Sequence, residues 1–150
     1  MMRVANGCLA ILLMSALWAR ADFEAGLFAY SMGNYEGAAR EFEACAQRGE
    51  TQGEYYFGLL HEEGQGLDMN YVLARQWYLK AAGKGDIDAA FALGRIHAQG
   101  LGVERDLPVA YLWYGRAARG GHYLGKQEQD RCISQMTPQQ LHQARSLAGE

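Results

Sequence analysis

The chain has 150 residues, a length typical of one domain, and its 14 Lys and Arg against 17 Asp and Glu give a formal net charge of −3. A mildly acidic chain lacks the basic face on which nucleic-acid binding depends, so we expect no nucleic-acid partner. This balance leaves proteins, peptides and small molecules as the classes of ligand to consider.

Residues 1–21 have the pattern of a secretory signal peptide. Arg3 supplies a positive start, residues 8–17 (CLAILLMSAL) form a short apolar run, and an Ala-Arg-Ala cleavage site ends the segment. The run is too short and wrongly flanked for a membrane-spanning helix, although an uncleaved N-terminal anchor is the alternative. We predict a periplasmic or secreted mature chain, residues 22–150, that begins at Asp22 and has no membrane span. It keeps 12 basic and 17 acidic residues, a charge of −5.

The rest of the chain matches itself at a fixed offset of 36 residues. The match needs no gap and includes glycines, a Trp-Tyr pair and an Ala-Ala pair. A period of this length indicates a stacked-repeat architecture, and stacked repeats generally bind partners rather than catalyse reactions. The matching pairs are Gly58 and Gly94, His61 and His97, Gly64 and Gly100, Gly66 and Gly102, Ala74 and Ala110, Trp77 and Trp113, Tyr78 and Tyr114, Ala81 and Ala117, Ala82 and Ala118, and Gly85 and Gly121.

Each unit predicts two helices separated by a glycine turn. The first helices cover residues 50–63 and 86–98, and each is followed by a Gly-x-Gly sequence. Glycine just past a helix end adopts the left-handed conformation that other residues resist. The second helices begin after Asn70 and Asp106, whose side-chain oxygens accept a backbone N–H that the first turn leaves unpaired. Pro108 falls in that first turn, where a missing N–H costs nothing.

An apolar stripe at helical spacing runs along each second helix. It contains the Trp-Tyr and Ala-Ala pairs, and large rings beside alanines allow two helices to approach closely. We therefore expect Trp77 and Trp113 to be largely buried at equivalent places in successive units.

The register extends in both directions into atypical end units. Residues 34–48 match a second helix and pair with a helix over 22–31, without the glycine turn. Residues 122–135 occupy a first-helix position, and Thr137-Pro138-Gln139-Gln140 then opens a last helix with one apolar face. End units of a solenoid differ from the rest because they cover its open ends. The predicted units are 22–49, 50–85, 86–121 and a degenerate capping unit, 122–150.

The two central units resemble the Sel1-like repeat, a subclass of the tetratricopeptide superfamily. The resemblance lies in FGLLHEEGQGLDMNYVLARQWYLKAAGKGD and LGRIHAQGLGVERDLPVAYLWYGRAARGG, with their Gly-x-Gly turn, downstream Ala, Trp-Tyr and Ala-Ala pairs and closing Gly. It is strong over residues 55–122 and weak over 22–54. It implies an all-α fold, a right-handed α-solenoid of helix-turn-helix repeats, with a concave binding face. Members act as adaptors in signalling, envelope and host-contact processes.

The tetratricopeptide register also implies which first-helix residues face the groove. That set is mixed aromatic and charged, as a peptide-binding surface is. The alternative is that several of these side chains only pack against neighbouring units. The implied groove residues are Leu27, Tyr30, Tyr55, Leu59, Glu62, Phe91 and Arg95.

No candidate for catalysis or for a cofactor emerges from the remaining residues. His61 and His97 stand where the family usually carries Tyr, and we interpret them as core histidines, with a metal or pH-sensing role as the alternative. Cys45 falls in the small apolar register of the repeated alanines, and a disulfide with the distant Cys132 is less favoured than two free thiols. The paired carboxylates lack the apolar surroundings that acid catalysis requires. We therefore expect no enzyme activity, no cofactor and no metal.

Taken together, these features predict an exported repeat adaptor that binds a protein or peptide through the concave face. Two alternatives stay open. One is a cell-envelope enzyme or ligand-binding protein acting on cell-wall or β-lactam-like ligands; the secreted family members linked to β-lactams carry a cysteine pair in each unit, which this chain lacks. The other is a structural spacer in an envelope complex. The identity of the partner does not follow from the residues.

Overall fold

The computed structural model describes residues 22–149, and that part of the chain contains helices joined by turns and loops, with no strand. The predicted signal peptide and its anchor alternative, residues 1–21, lie outside the described residues. Within residues 22–149, no helix is both long enough and apolar enough to cross a membrane. Helix α1 covers 22–31, and it is followed by α2 (Tyr35–Gln47), α3 (Thr51–Glu63), α4 (Tyr71–Gly83), α5 (Ile87–Gln99), α6 (Leu107–Arg119), α7 (Gly125–Gln135) and α8 (Pro138–Ala148).

The helices form a solenoid in which most elements pack on their neighbours in the chain. From α2 to α7 every helix contacts the next, and α8 folds back onto α6. Each of the predicted units 22–49, 50–85, 86–121 and 122–150 contains two successive helices. The predicted all-α solenoid is therefore confirmed.

Local capping interactions set the ends of the helices as the sequence predicts. Gly64 and Gly100 end α3 and α5 in the left-handed conformation, with φ of 65° and 73°. Asn70 Oδ1 accepts the Leu73 N–H at 3.0 Å at the start of α4. Asp106 does the same at the start of α6, through the Val109 N–H. Each of these bonds satisfies a backbone donor that the first helical turn leaves free.

The core of each unit is built on a tyrosine that lies over a glycine. Tyr78 is completely buried and Tyr114 is 3% exposed. A Cβ atom on Gly58 would lie 2.9 Å from the Tyr78 ring, and one on Gly94 would lie 2.5 Å from Tyr114 Cδ1. The repeated glycines therefore make room for the repeated rings, which is why the two residue types recur together.

The tryptophans occupy equivalent places on α4 and α6, where each packs half-buried at the edge of an apolar cluster. Trp77 packs edge-on against Phe57 with ring centroids 5.4 Å apart, and Lys80 Nζ lies 3.6 Å from the Trp77 ring centre. Arg116 lies over the Trp113 ring in the same way, with its Cζ atom 4.8 Å from the ring centre. The tyrosine, one position further along the helix, occupies the interior, so the tryptophan lies at the edge of the core beneath a cation.

Both cysteines in the described part of the chain are free and buried. Cys45 occupies the small slot expected from its register, and the corresponding Ala81 and Ala117 are likewise completely buried. Burial is the main reason that the pKa of Cys45 rises to about 12, so the group is an uncharged thiol. Each cysteine therefore acts as a packing residue.

Helix α8 covers the end of the stack. Thr137 and Gln140 form the predicted capping box, with reciprocal bonds of 3.0 and 3.2 Å. Ala144 is completely buried in a cluster with Leu107 and Tyr111 of α6. The apolar face of α8 therefore shields residues of the preceding unit from solvent.

Deleting residues 138–150 should expose this face of α6, lower the melting temperature by roughly 5 °C or more, and promote self-association. Differential scanning calorimetry and light scattering measure the two effects. A chain shortened only after Ala148 is the control, since it keeps α8. A truncated protein that stayed monomeric with an unchanged melting temperature would show that α8 is not a cap.

Candidate functional site

Helices α3 and α5 border a groove of about 440 Å³, referred to below as the α3–α5 groove. Five of the seven residues expected in a binding groove line it: Tyr55, Leu59, Glu62, Phe91 and Arg95. The other lining residues are Glu63, Tyr71, Tyr78, Asp88, Ala92 and His122. The groove thus lies where one repeat meets the next, because its two sides come from the first helices of successive units.

The two expected residues on α1 do not line this groove. Leu27 packs against the apolar cluster around Ala38 and Phe42. The Tyr30 hydroxyl donates a hydrogen bond to Glu63 Oε2 at 3.3 Å, so Tyr30 contacts a lining residue without lining the groove. For Leu27, the surroundings match the alternative interpretation, in which the side chain packs within the solenoid.

An ion pair between a buried carboxylate and a partly exposed guanidinium group lies in the wall of the groove. Glu62 is only 7% exposed, and its carboxylate accepts the Tyr78 hydroxyl at 2.7 Å and lies 2.5 Å from Arg95 Nη2. A buried carboxylate is unfavourable unless partners compensate the lost hydration. Here the partners come from α4 and α5, so the interaction ties three helices and two units together.

The Tyr78 hydroxyl is a permanent hydrogen-bond donor to this carboxylate. Burial, followed by the negative charge of Glu62, raises the pKa of Tyr78 well above its usual value. The side chain therefore stays protonated across the physiological range. Glu62 is thus held from two directions on this side of the groove, by Tyr78 and by Arg95.

A stack of aromatic rings forms the other side of the groove. Phe91 and His122 lie nearly parallel, with centroids 3.9 Å apart and an interplanar angle of 14°. Tyr123 continues the stack at 5.2 Å and is 85% exposed. The Leu124 N–H donates to His122 Nδ1 at 3.3 Å, which places the proton of the neutral ring on Nε2, 3.8 Å from Asp88 Oδ1.

Tyr55 connects the two sides of the groove. Its ring lies 5.8 Å from that of Tyr78, and burial raises its pKa to about 12, with the Asp88 carboxylate as the next cause. The phenol is therefore uncharged.

Comparison with known proteins identifies the repeat. The family profile of the Sel1 repeat matches residues 51–86 and 87–122. The chain contains two Sel1 repeats. Among curated proteins, no sequence match was found.

Two solved structures have a similar fold. One is a protective antigen present in uropathogenic Escherichia coli strains that displays an SLR fold, with 29% identity and a TM-score of 0.82 over 87% of this chain and 29% of that one. The other is a Sel1 repeat protein from Oxalobacter formigenes, with 28% identity and a TM-score of 0.68 over 74% of this chain and 47% of that one. This chain therefore spans less than half the length of either protein. Sel1 repeats generally mediate protein–protein interaction, and their fold is not typically enzymatic.

Two residues that line the groove between the two Sel1 repeats have different signals in the sequence. Asp88 lies three residues before Phe91 and seven before Arg95, so helical periodicity places it on the same face and could have revealed it. His122 comes from the turn after α6, and its counterpart one unit earlier is Asp86, a helix cap. The repeat register therefore carries no signal for His122.

The repeated histidines do not line the groove. His61 packs edge-on against Phe57 at 4.7 Å, and His97 is 9% exposed. Burial, followed by the charge of Arg75, lowers the pKa of His97 and favours its neutral form. The Nδ1 atoms of both histidines are buried without a hydrogen-bond partner. Among residues 22–149, no group of three or more His, Cys, Asp or Glu is arranged to hold a metal ion.

Proposed function

We propose that this protein is an exported adaptor that binds a protein or peptide ligand in the α3–α5 groove. The observation that carries the proposal is that five residues chosen by repeat register line one groove at the junction of the two Sel1 repeats. The general role of Sel1 repeats in protein interaction supports the same function. The pattern of residues 1–21 supports export.

The groove has the physical properties of a recognition surface. Its volume of about 440 Å³ lies within the range of about 300 to 1,000 Å³ that is typical of ligand sites. Aromatic and arginine side chains, which dominate binding energies at interfaces, line it together. The Glu62 ion pair and the Phe91 stack hold their side chains in place, so little conformational entropy remains to be lost on binding.

Changing Phe91 to Ala should weaken a groove-bound peptide by about 1 kcal/mol or more, roughly fivefold in Kd. The probe is an array of random linear 12-residue peptides, from which the bound sequences are resynthesised for fluorescence polarisation. Arg95→Ala should weaken binding similarly. Because Arg95 also pairs with the buried Glu62, circular dichroism must first show that this variant keeps its fold. Lys80→Ala is the control, since Lys80 lies over Trp77 on the second helix of the unit.

The outcomes separate the faces of the solenoid. Binding that Lys80→Ala weakens and that neither groove change affects would place the ligand on the second-helix face. Failure of the array to yield any bound peptide would argue against peptide binding altogether.

A further inference from the structure

The charges that line the α3–α5 groove do not balance. Glu62, Glu63 and Asp88 are acidic, whereas Arg95 is the one lysine or arginine among the described lining residues. Arg95 is already paired with Glu62, and that pair is neutral as a whole. The groove therefore keeps two carboxylates, those of Glu63 and Asp88, without a cation to match them.

These two carboxylates are accessible and weakly engaged. Glu63 is exposed and, among the described residues, accepts one hydrogen bond, from Tyr30 at 3.3 Å. The Asp88 side chain is 57% exposed, and its nearest basic partner is His122, with Nε2 at 3.8 Å. At that separation and exposure, the pair contributes little even when His122 is protonated. Both carboxylates are thus free to accept hydrogen bonds from a ligand.

Aromatic side chains lie near both carboxylates. Asp88 lies near His122, whose ring stacks on Phe91, and its charge acts on the Tyr55 phenol. The Tyr30 hydroxyl contacts Glu63. A guanidinium or ammonium group is attracted to such a ring face as well as to a carboxylate, and the planar guanidinium also stacks on it. The same combination gives an acidic or purely apolar side chain no comparable partner.

We propose that the α3–α5 groove selects peptides through a basic side chain, arginine above all, that pairs with Asp88 or Glu63 and lies against the neighbouring aromatic rings. The proposal rests on the proposed function, because it names the class of peptide that the groove takes. The net negative charge of residues 22–150 also draws such peptides toward the protein at low salt.

The test uses the same array of random 12-residue peptides with the protein. Peptides that bind are expected to be enriched in arginine and lysine. Asp88→Asn and Glu63→Gln should each weaken a selected basic peptide about two- to fivefold, the range for partly exposed ion pairs. The Kd should also rise with salt concentration, because accessible charges are screened. Glu43→Gln removes the same charge from an exposed position outside the groove, and it should leave the Kd unchanged.

The failures of the two proposals are distinguishable. Neutral or acidic peptides that bind in a Phe91-dependent manner would overturn the basic selectivity and leave groove binding intact; acidic ones would point to Arg95 as the recognition residue. Basic peptides weakened as much by Glu43→Gln as by Asp88→Asn would show general attraction to an acidic protein, which also overturns the selectivity. Peptide binding insensitive to Phe91→Ala would overturn the proposed function and this inference together.

Discussion

Replacing Gly66 with alanine is expected to destabilise the protein by about 2 to 5 kcal/mol. Gly66 has φ of 69°, a conformation that costs an L-residue roughly 1 to 2 kcal/mol. An added Cβ atom would also lie 2.4 Å from the backbone carbonyl group of Tyr35. Backbone at the start of α2 cannot move aside as a flexible side chain can, so the clash adds an overpacking cost of about 1 to 3 kcal/mol.

Gly33→Ala is the matched control for this prediction. Gly33 has φ of 75°, and a Cβ atom there would meet nothing within 4 Å. The two substitutions therefore impose the same backbone strain, and only Gly66→Ala adds a clash between units. Urea unfolding measures both free energies. Equal losses for the two variants would show that the turn does not press on the preceding unit as the structure describes.

Replacing Tyr78 with alanine should cost about 3 to 5 kcal/mol, the range for a fully buried aromatic side chain. Tyr78→Phe isolates the hydroxyl, which donates to the buried Glu62 at 2.7 Å. Its removal leaves Glu62 with Arg95 as its remaining partner. A hydrogen bond to a charged group contributes about 1.5 to 3 kcal/mol. We therefore expect Tyr78→Phe to lower the free energy of unfolding by an amount in that range.

Tyr114→Phe provides the comparison for the hydroxyl. Tyr114 occupies the equivalent position in the next unit and is buried to a similar degree, but Ala98 stands where the preceding unit has Glu62. We expect a smaller loss than for Tyr78→Phe. If the two phenylalanine variants lost equal stability in urea unfolding, the carboxylate would not be the reason that Tyr78 needs its hydroxyl.

Local sequence determines the helices of this protein and the ends of those helices. The N-caps at Asn70 and Asp106, the left-handed glycines at 64 and 100 and the capping box at Thr137 all bond within a few residues of themselves. Such interactions depend on neighbouring residues alone, which is why the sequence predicts them well.

The repeat register also predicted which residues lie side by side in successive units, including five that line the groove. Residues at the same position of successive units take equivalent places in a stack, because each unit packs on the next in the same way. That reasoning brought Tyr55 and Glu62 of α3 together with Phe91 and Arg95 of α5. On α1, which belongs to the atypical end unit, Leu27 packs against the apolar cluster around Ala38 and Phe42 instead.

Only the tertiary structure decided how one unit rests on the next. The sequence alone does not show that Gly66 approaches Tyr35, that Arg95 reaches Glu62, or that His122 stacks on Phe91. The same holds for the choice of the tyrosine over the tryptophan as the buried ring. These contacts depend on the rotation and translation between consecutive units, which are set by the summed packing of many side chains rather than by any short segment of the chain.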